Sequence, residues 1–281
     1  MSEDTHHSSL IPHRSSSFSM NQLLREVIQA TRAAGAAILA YYQDSFTVRD
    51  KSPDNPVTEA DLAADALLKE RLLTLLPEAG WLSEETADNP QRLTRRLVWV
   101  VDPLDGTKDF VLGIPEFAVS VALVEDGQPI LAVIFNPAAG QLFHAQKGMG
   151  AWLDGRPVTV SGRAELRGAR VDASRSERKR GEFAPFEGMV ELTTMGSIAY
   201  KLARVAAGLT DATWSRGPKN EWDVCAGVLL VLEGGGRCTD LHGEPLVFNR
   251  PRPKVNGIVA DNGRFHSDLI ATLSNLGAAR L

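Results

Sequence analysis

The apolar run Leu97 to Val101 is followed by Asp102-Pro103-Leu104-Asp105-Gly106-Thr107. A run of Leu, Val and Trp reads as a buried strand. Two carboxylates at its exit, then a glycine and a hydroxyl, are equipment for holding a divalent cation. Pro103 fixes φ and stiffens the exit from the strand. Gly106 permits close backbone approach to a ligand. The amides of Gly106 and Thr107 could face an anion, the more so if Thr107 opens a short helix. The plain alternative is a strand ending in an Asp-Gly turn.

Other acids widen the constellation. Glu84 and Glu85 follow the short extended segment Trp81-Leu82-Ser83, where an adjacent acidic pair would ordinarily be solvated. Asp61 lies three residues after Thr58, the spacing of a capping box. Asp223 follows Glu221-Trp222 and begins an apolar helix, where an acid also favours the helix dipole. Glu221 reads as a supporting or capping group rather than a ligand. The haloacid-dehalogenase phosphatases place a nucleophilic Asp two residues before the Asp-Gly-Thr, but Pro103 stands there in this chain. Asp102 and Asp105 at i, i+3 are better placed to converge on metals than to divide nucleophile and acid roles.

Elements to position these groups can be read along the chain. Ser19 to Gln22 has the Ser-x-x-Gln form of a capping box. Leu24, Val27, Ile28, Thr31, Ala34, Ile38 and Tyr41 then recur at helical spacing, which predicts a helix to about Gln43. A polar loop through Lys51 and Asn55-Pro56 is expected next. A second helix opens at Thr58 to Asp61 and ends at Pro77. After the Asp102 loop come strands over 117–124 and 129–135, joined by Glu125-Asp126-Gly127-Gln128. Further strands are expected over 141–145, 151–153 and 158–160. From about Gly162 the rhythm changes. Short strands (171–173, 190–194, 212–214, 237–239, 257–260) alternate with helical stretches (198–207, 223–232, 265–276), as in an α/β unit. The reading gives a disordered tail over 1–18, an N-terminal α+β subdomain over 19–161 carrying most metal ligands, and a C-terminal α/β subdomain over 162–281 carrying Asp223. Gly234-Gly235-Gly236 lacks the P-loop Lys-Ser/Thr and reads as a helix end.

Composition narrows the classes. The 281 residues are 43% hydrophobic, enough for a sizeable core, and the net charge is −5. That balance argues against a nucleic-acid polymer as partner. No apolar stretch approaches the roughly 20 residues of a membrane span. The first 17 residues are polar and Ser/His-rich, without the apolar region of a signal peptide. His6, His7 and His13 read as solvated rather than as a metal site. Cys225 and Cys238 sit among apolar residues; one disulfide between them is the alternative, but buried thiols in a reducing cytoplasm are the simpler reading.

As a set, Val57-Thr58-x-x-Asp61, Ser83-Glu84-Glu85, Asp102-Pro103-Leu104-Asp105-Gly106-Thr107 and Trp222-Asp223-x-x-Ala226-Gly227 resemble the inositol monophosphatase family of Mg-dependent, lithium-sensitive phosphatases. The resemblance runs from about Gln22 to Leu276. It implies an α/β (α+β) fold, a layered αβαβα sandwich, with an antiparallel sheet in the N-terminal half and a mixed sheet in the C-terminal half. It implies that Glu84, Asp102 and the Leu104 carbonyl hold a first Mg2+, and that Asp102, Asp105 and Asp223 hold a second. A third, weaker ion would share Glu84. Asp61 and Thr107 would be catalytic with Glu84, orienting the attacking water, while the amides of Gly106 and Thr107 grip the phosphate. The resemblance also implies a homodimer and a small phosphorylated substrate. The chemistry is consistent: Mg2+ takes oxygen ligands, and phosphoryl transfer is chiefly positioning plus charge stabilisation. Neither cysteine nor any of the six histidines is needed.

Which ester is a separate question. Thr107-Lys108-Asp109-Phe110 resembles the form found in 3'(2'),5'-bisphosphate nucleotidases, which act on adenosine 3',5'-bisphosphate. The segment Arg216 to Asp223 resembles their Gly-Pro-x-x-Glu-Trp-Asp loop, though its spacing differs by about one residue. On this reading Lys108 and Arg216 contact substrate, together with Ser174, Gly196 and Ser197. The basic run Arg175, Arg178, Lys179, Arg180 is either a solvated face or a contact to a second phosphate. Such a nucleotidase is therefore the first expectation, and an inositol-1-monophosphatase or broad sugar-phosphate phosphatase the alternative. A catalytically silent metal- or nucleotide-binding regulator is a third reading, against which the intact acid set speaks.

Overall fold

The computed structural model describes residues 19–42, 47–52 and 55–278. The expected tail over 1–18, with its histidines, lies outside the described residues.

Helix α1 (Met20–Leu39) opens on the reciprocal Ser19/Gln22 capping box. Its buried stripe runs Leu23, Val27, Ala30, Ala34, Ile38. It stops short of the expected Gln43. Beyond the cap at Ala40, Tyr42 donates its hydroxyl to the Gly113 carbonyl at 2.7 Å and packs its ring against Phe110 and Phe117. Strands β1 (Val48–Ser52) and β2 (Asn55–Thr58) form a hairpin where the sequence suggested only a polar loop. They form a two-stranded sheet, and the runs Val-Arg-Asp-Lys-Ser and Asn-Pro-Val-Thr carry no apolar alternation that would have marked them. Helix α2 (Glu59–Leu75) leads to β3 (Gly80–Ser83). The long strand β4 (Leu97–Asp105) is followed by the one-turn helix α3 (Thr107–Val111).

Next come β5 (Ala118–Glu125), β6 (Gln128–Asn136), β7 (Gln141–Gln146), β8 (Ala151–Leu153) and β9 (Arg156–Val158). The last begins two residues earlier than the sequence suggested. Asp154 and Gly155 both have positive φ (49° and 76°), the signature of a two-residue hairpin turn, so pairing resumes at once with Leu153 opposite Arg156. The second half contains β10 (Arg170–Ala173), α4 (Arg175–Lys179), β11 (Glu191–Thr194), α5 (Ile198–Ala206) and β12 (Ala212–Ser215). It closes with β13 (Lys219–Asn220), α6 (Glu221–Glu233), β14 (Arg237–Thr239), β15 (Lys254–Val255), β16 (Ile258–Asp261) and α7 (His266–Ala278).

Strands β3 to β9 form a seven-stranded sheet in sequence order, antiparallel except for the β3–β4 pair. Successive side chains of a strand point to opposite faces. Trp99 and Val101 of β4 therefore join α1 and α2, while Val98 and Val100 face α5 and α6. Both faces are covered, which is why β4, β5 and β6 read as continuous apolar runs. The five-stranded sheet β11-β10-β12-β16-β14 is mixed. Its inner face packs on α5 and α6, and its outer face, with Phe183, Phe186 and Trp214, is closed by α7. The result is an αβαβα sandwich of mixed α/β type. The central helices touch closely: a Cβ on Gly227 of α6 would lie 2.5 Å from Leu202 of α5. No helix among the described residues is long and apolar enough to cross a membrane.

Candidate active site

In a regular strand Asp102 and Asp105, an odd number apart, would face opposite sides of the sheet. A bulge prevents this. Asp102 pairs with Ser120 and Asp105 with Ala118, so three steps on β4 match two on β5. The extra residue re-aims the strand end. Pro103 has no N–H to lose, and a bulge is a place that accepts proline. Both carboxylates thus line one cavity of about 320 Å³ with Glu84 and Asp223. Of the acidic pair after β3, Glu84 lines the cavity and Glu85 does not.

One carboxylate oxygen each from Glu84, Asp102 and Asp223 lies within 4.8 Å of the others. Crowding and burial penalise the charged forms. Burial first, then Glu84, Asp105 and Asp223, pushes the Asp102 carboxyl well above the carboxylate range. Burial, with Asp105 and Glu84, raises Asp223 to about 8. Burial raises Asp105 to about 6 against the hydrogen bonds from Ser197 and Ala199. An oxygen-only set that resists ionisation is what a hard divalent cation neutralises. The cluster can hold a metal ion, and the Leu104 backbone lies beside it, its amide donating to Asp102 Oδ1 at 3.0 Å.

Asp61 combines two tasks. Its Oδ2 accepts from the amide and hydroxyl of Thr58 at 2.7 and 2.6 Å, completing the capping box of α2. Its Oδ1 lies 3.0 Å from Thr107 Oγ1, which is also 3.0 Å from the Leu104 carbonyl. The Thr107 proton is therefore directed into the protein, and a lone pair is left toward the cavity that Thr107 lines. Gly106 has φ +98°, and a Cβ there would lie 2.9 Å from the Glu116 carbonyl, so this position admits only glycine.

Ser197 caps α5 at φ +51°. Its hydroxyl donates to Asp105 Oδ2 at 2.6 Å, and the Ala199 amide donates to the same oxygen at 2.7 Å. These two donors fix one oxygen of Asp105, and the bonds help hold Ser197 in its strained conformation. Gly196 is not among the lining residues. Its amide donates to Glu116 Oε2 at 2.8 Å, so it is already used within the protein.

The remaining wall is basic. Glu177 of α4 is fully buried, with Lys201 Nζ at 2.7 Å and Lys219 Nζ at 3.4 Å. Burial opposes its ionisation, but the two ammonium groups outweigh that and hold its carboxyl well below the usual range. Two cations around one anion leave a net positive charge. Lys108, Arg180 and Ser174, the cap of α4, line the same cavity. Arg216 does not. Its amide is tied to Glu182 Oε2 at 3.1 Å just beyond β12, in an adjoining cleft that shares Arg180; Lys219, three residues on, lines the cavity instead. Arg175 is a clamp, 2.9 Å from Asp109 and 2.5 Å from Glu116, while Arg178 donates to Thr194.

Sequence reasoning missed Glu177, Lys201 and Lys219 as lining residues. It also missed Asp65, one turn after Asp61 on α2. Asp65 accepts from the Ser83 hydroxyl and, at 2.7 Å, from Thr86, so it brackets Glu84 on both sides. The helical spacing of Asp61 and Asp65 was the available signal.

The sequence profile of the inositol monophosphatase family matches residues 19–278. A 3'(2'),5'-bisphosphate nucleotidase CysQ from Aggregatibacter actinomycetemcomitans is 37% identical over 243 residues, covering 83% of this chain and 90% of its own. An inositol-1-monophosphatase from Rhizobium meliloti is also 37% identical, over 238 residues, covering 79% and 86%. Among solved structures, the extragenic suppressor protein suhB from Bartonella henselae superposes with a TM-score of 0.80 at 31% identity, covering 89% of this chain and 98% of that one.

Proposed function

The chain belongs to the inositol monophosphatase family, whose relatives are phosphatases, and from that premise we propose a Mg2+-dependent phosphomonoesterase that removes one phosphate from a nucleoside bisphosphate of the adenosine 3',5'-bisphosphate type. Glu84, Asp102 and the Leu104 carbonyl would hold one Mg2+, and Asp102, Asp105 and Asp223 another. Bound there, magnesium would supply the positive charge that acidifies water and offsets the phosphoryl oxygens. The protein's own part is orientation. The Thr107 oxygen accepts from the attacking water, because its proton is given to Asp61 or to the Leu104 carbonyl. The Gly106 and Thr107 amides meet the phosphate where no side chain intrudes. The two buried free thiols, Cys225 and Cys238, support a reducing cytoplasm as the location.

The choice of ester cannot rest on similarity, because a nucleotidase and an inositol phosphatase match this chain with equal identity. It rests on the basic wall. Lys201 and Lys219 around Glu177, with Arg180 and Lys108, give the cavity cationic groups beyond those one metal-bound phosphate requires. A second phosphate on the same substrate would meet them. A sugar phosphate has the counter-argument that Asp109, which also lines the cavity, can accept from hydroxyls. A panel of phosphomonoesters at fixed Mg2+ decides. We expect kcat/KM for adenosine 3',5'-bisphosphate to exceed that for inositol 1-phosphate by roughly tenfold or more, the worth of one charged contact. The opposite preference overturns the substrate assignment and leaves the phosphatase reading intact.

A further inference from the structure

Glu84 and Asp223 come to the cavity from different parts of the sandwich. Glu84 follows β3, the edge strand of the seven-stranded sheet, and Asp223 stands in the first turn of α6 between the sheets. Their carboxylate oxygens approach within 4.8 Å, so like charges must be held together by the surrounding protein.

A buried arginine links the two segments. Arg92 lies in the short 3-10 turn Pro90–Thr94, and its side chain is 1% exposed. Nε and Nη2 donate to the two oxygens of Asp88, at 2.6 and 2.9 Å, in the segment that follows Glu84. Nη1 donates to Asn249 Oδ1 at 2.7 Å, and Nη2 also donates to the Arg250 carbonyl at 3.0 Å. Asn249 returns a bond from Nδ2 to the Arg92 carbonyl at 3.2 Å. It holds φ +59°, a left-handed conformation that the contacts must enforce. The amides of Asn249 and Arg250 then donate to the two oxygens of Glu221, at 2.7 and 3.2 Å. Glu221 is fully buried and is the first residue of α6, two positions before Asp223. The start of β3 rests on the same arginine: a Cβ on Gly80 would lie 2.9 Å from Arg92 Cβ.

We propose that Arg92 is a positioning residue for the metal centre, tying the segment after Glu84 through Asp88, Asn249 and Glu221 to the turn of α6 that carries Asp223. It touches no substrate and stands behind the ligands. Only a planar fork of several donors can serve Asp88, Asn249 and the Arg250 carbonyl together, so lysine keeps the charge and loses the link. The inference rests on the proposed metal site, not on which ester is cleaved.

The test compares Arg92→Lys and Asp88→Asn with the parent chain. Mn2+ binding is read by electron paramagnetic resonance, with Mg2+ as competitor, and melting is followed in EDTA. Removing a group bonded directly to a metal ligand weakens binding by about 10- to 100-fold, and Arg92 acts one link further back, so the lower end of that range applies. Arg92→Lys should therefore raise the Mn2+ Kd about tenfold, and Asp88→Asn should raise it by a smaller factor. Turnover at saturating Mg2+ should stay within about threefold, since an ion that binds the ligating arrangement better shifts the population toward it. Unchanged Mn2+ affinity in a folded variant overturns the proposal, as does a fall in turnover that merely tracks melting temperature. If Arg92→Lys does not fold, Asp88→Asn and Asn249→Ala carry the same criterion. A parent chain that binds no Mn2+ removes the metal reading and this proposal together; a wrong substrate removes neither.

Discussion

The cavity is shared by two charged regions that differ in how their charge is met. On the acidic side, Glu84, Asp102, Asp105 and Asp223 are crowded, and burial raises Asp102, Asp105 and Asp223 above the usual carboxylate range. On the basic side, the buried carboxylate of Glu177 is held ionised by Lys201 and Lys219, so the charges mostly answer one another within the protein. One region would be completed by an added cation. The other balances Glu177 internally and still offers cationic groups, the surplus ammonium around Glu177 and Lys108 among them. The first should govern whether the reaction occurs, the second which molecule undergoes it.

The largest effect that could break this contrast is expected at Asp102. Asp102→Asn removes an oxygen assigned to both ions and should lower kcat on the order of 10³-fold. It also relieves a buried repulsion, so melting in EDTA should not fall, while the rise in melting temperature on adding Mg2+ should be largely lost. Retained turnover in a metal titration would refute the shared-ligand arrangement. Thr107→Ala comes next. Loss of an oriented proton acceptor should lower kcat by roughly 10²-fold. The Mg2+ concentration for half-maximal rate should move by less than about twofold, because Thr107 acts on water rather than on the ions. A large shift in Mg2+ requirement with little change in kcat would assign Thr107 to the metals instead.

The two regions also differed in how far the sequence disclosed them. Asp102, Asp105, Gly106 and Thr107 lie in one hexapeptide, and its chemistry was visible before any fold. What the spacing could not show is the bulge that turns Asp102 and Asp105 to one side. Glu177, Lys201 and Lys219 belong to α4, α5 and β13, and each looks ordinary in its own segment. Arg216 drew attention as a cation near a recognisable loop, yet strand β12 ends one residue before it and Lys219 takes the lining place. The sandwich itself was legible because β4, β5 and β6 are buried on both faces and α1 on one. The β1–β2 hairpin was not, since its short, polar, proline-containing strands carry no apolar alternation.

The basic side is sharpened by Lys219→Ala. At pH 8 and saturating Mg2+, kcat/KM for adenosine 3',5'-bisphosphate should fall about tenfold, while that for inositol 1-phosphate should change by less than about threefold. Equal losses on both substrates would mean that Lys219 serves the acid cluster, which it also approaches closely enough to favour the charged forms of Asp105 and Asp223. The contrast between the two regions would then dissolve into one electrostatic unit.

The smallest expected effect is on stability, and its sign follows from the same asymmetry. Asp105 at about 6 and Asp223 at about 8 both lie above their ordinary value of 3.8, so the folded chain binds more protons than the unfolded chain between these limits. Their contribution is fully present at low pH and is lost as pH rises through 6 and then 8. Glu177 shifts the opposite way, and its contribution is lost only on acidification below the ordinary carboxylate range. Between pH 5.5 and 8.5 in EDTA the crowded aspartates, Asp102 included, outweigh the opposing trend of His144, whose imidazole burial pushes down, and melting temperature should fall as pH rises. Each kcal/mol corresponds to roughly 2–4 °C for a chain somewhat smaller than this one. Saturating Mg2+ should flatten the slope, since the cation takes over the role of the protons, and Asp223→Asn should flatten it without Mg2+. Calorimetry at three pH values in EDTA and in Mg2+ measures this; a level profile in EDTA would mean that the carboxylates are solvated and that no unbalanced charge awaits a cation.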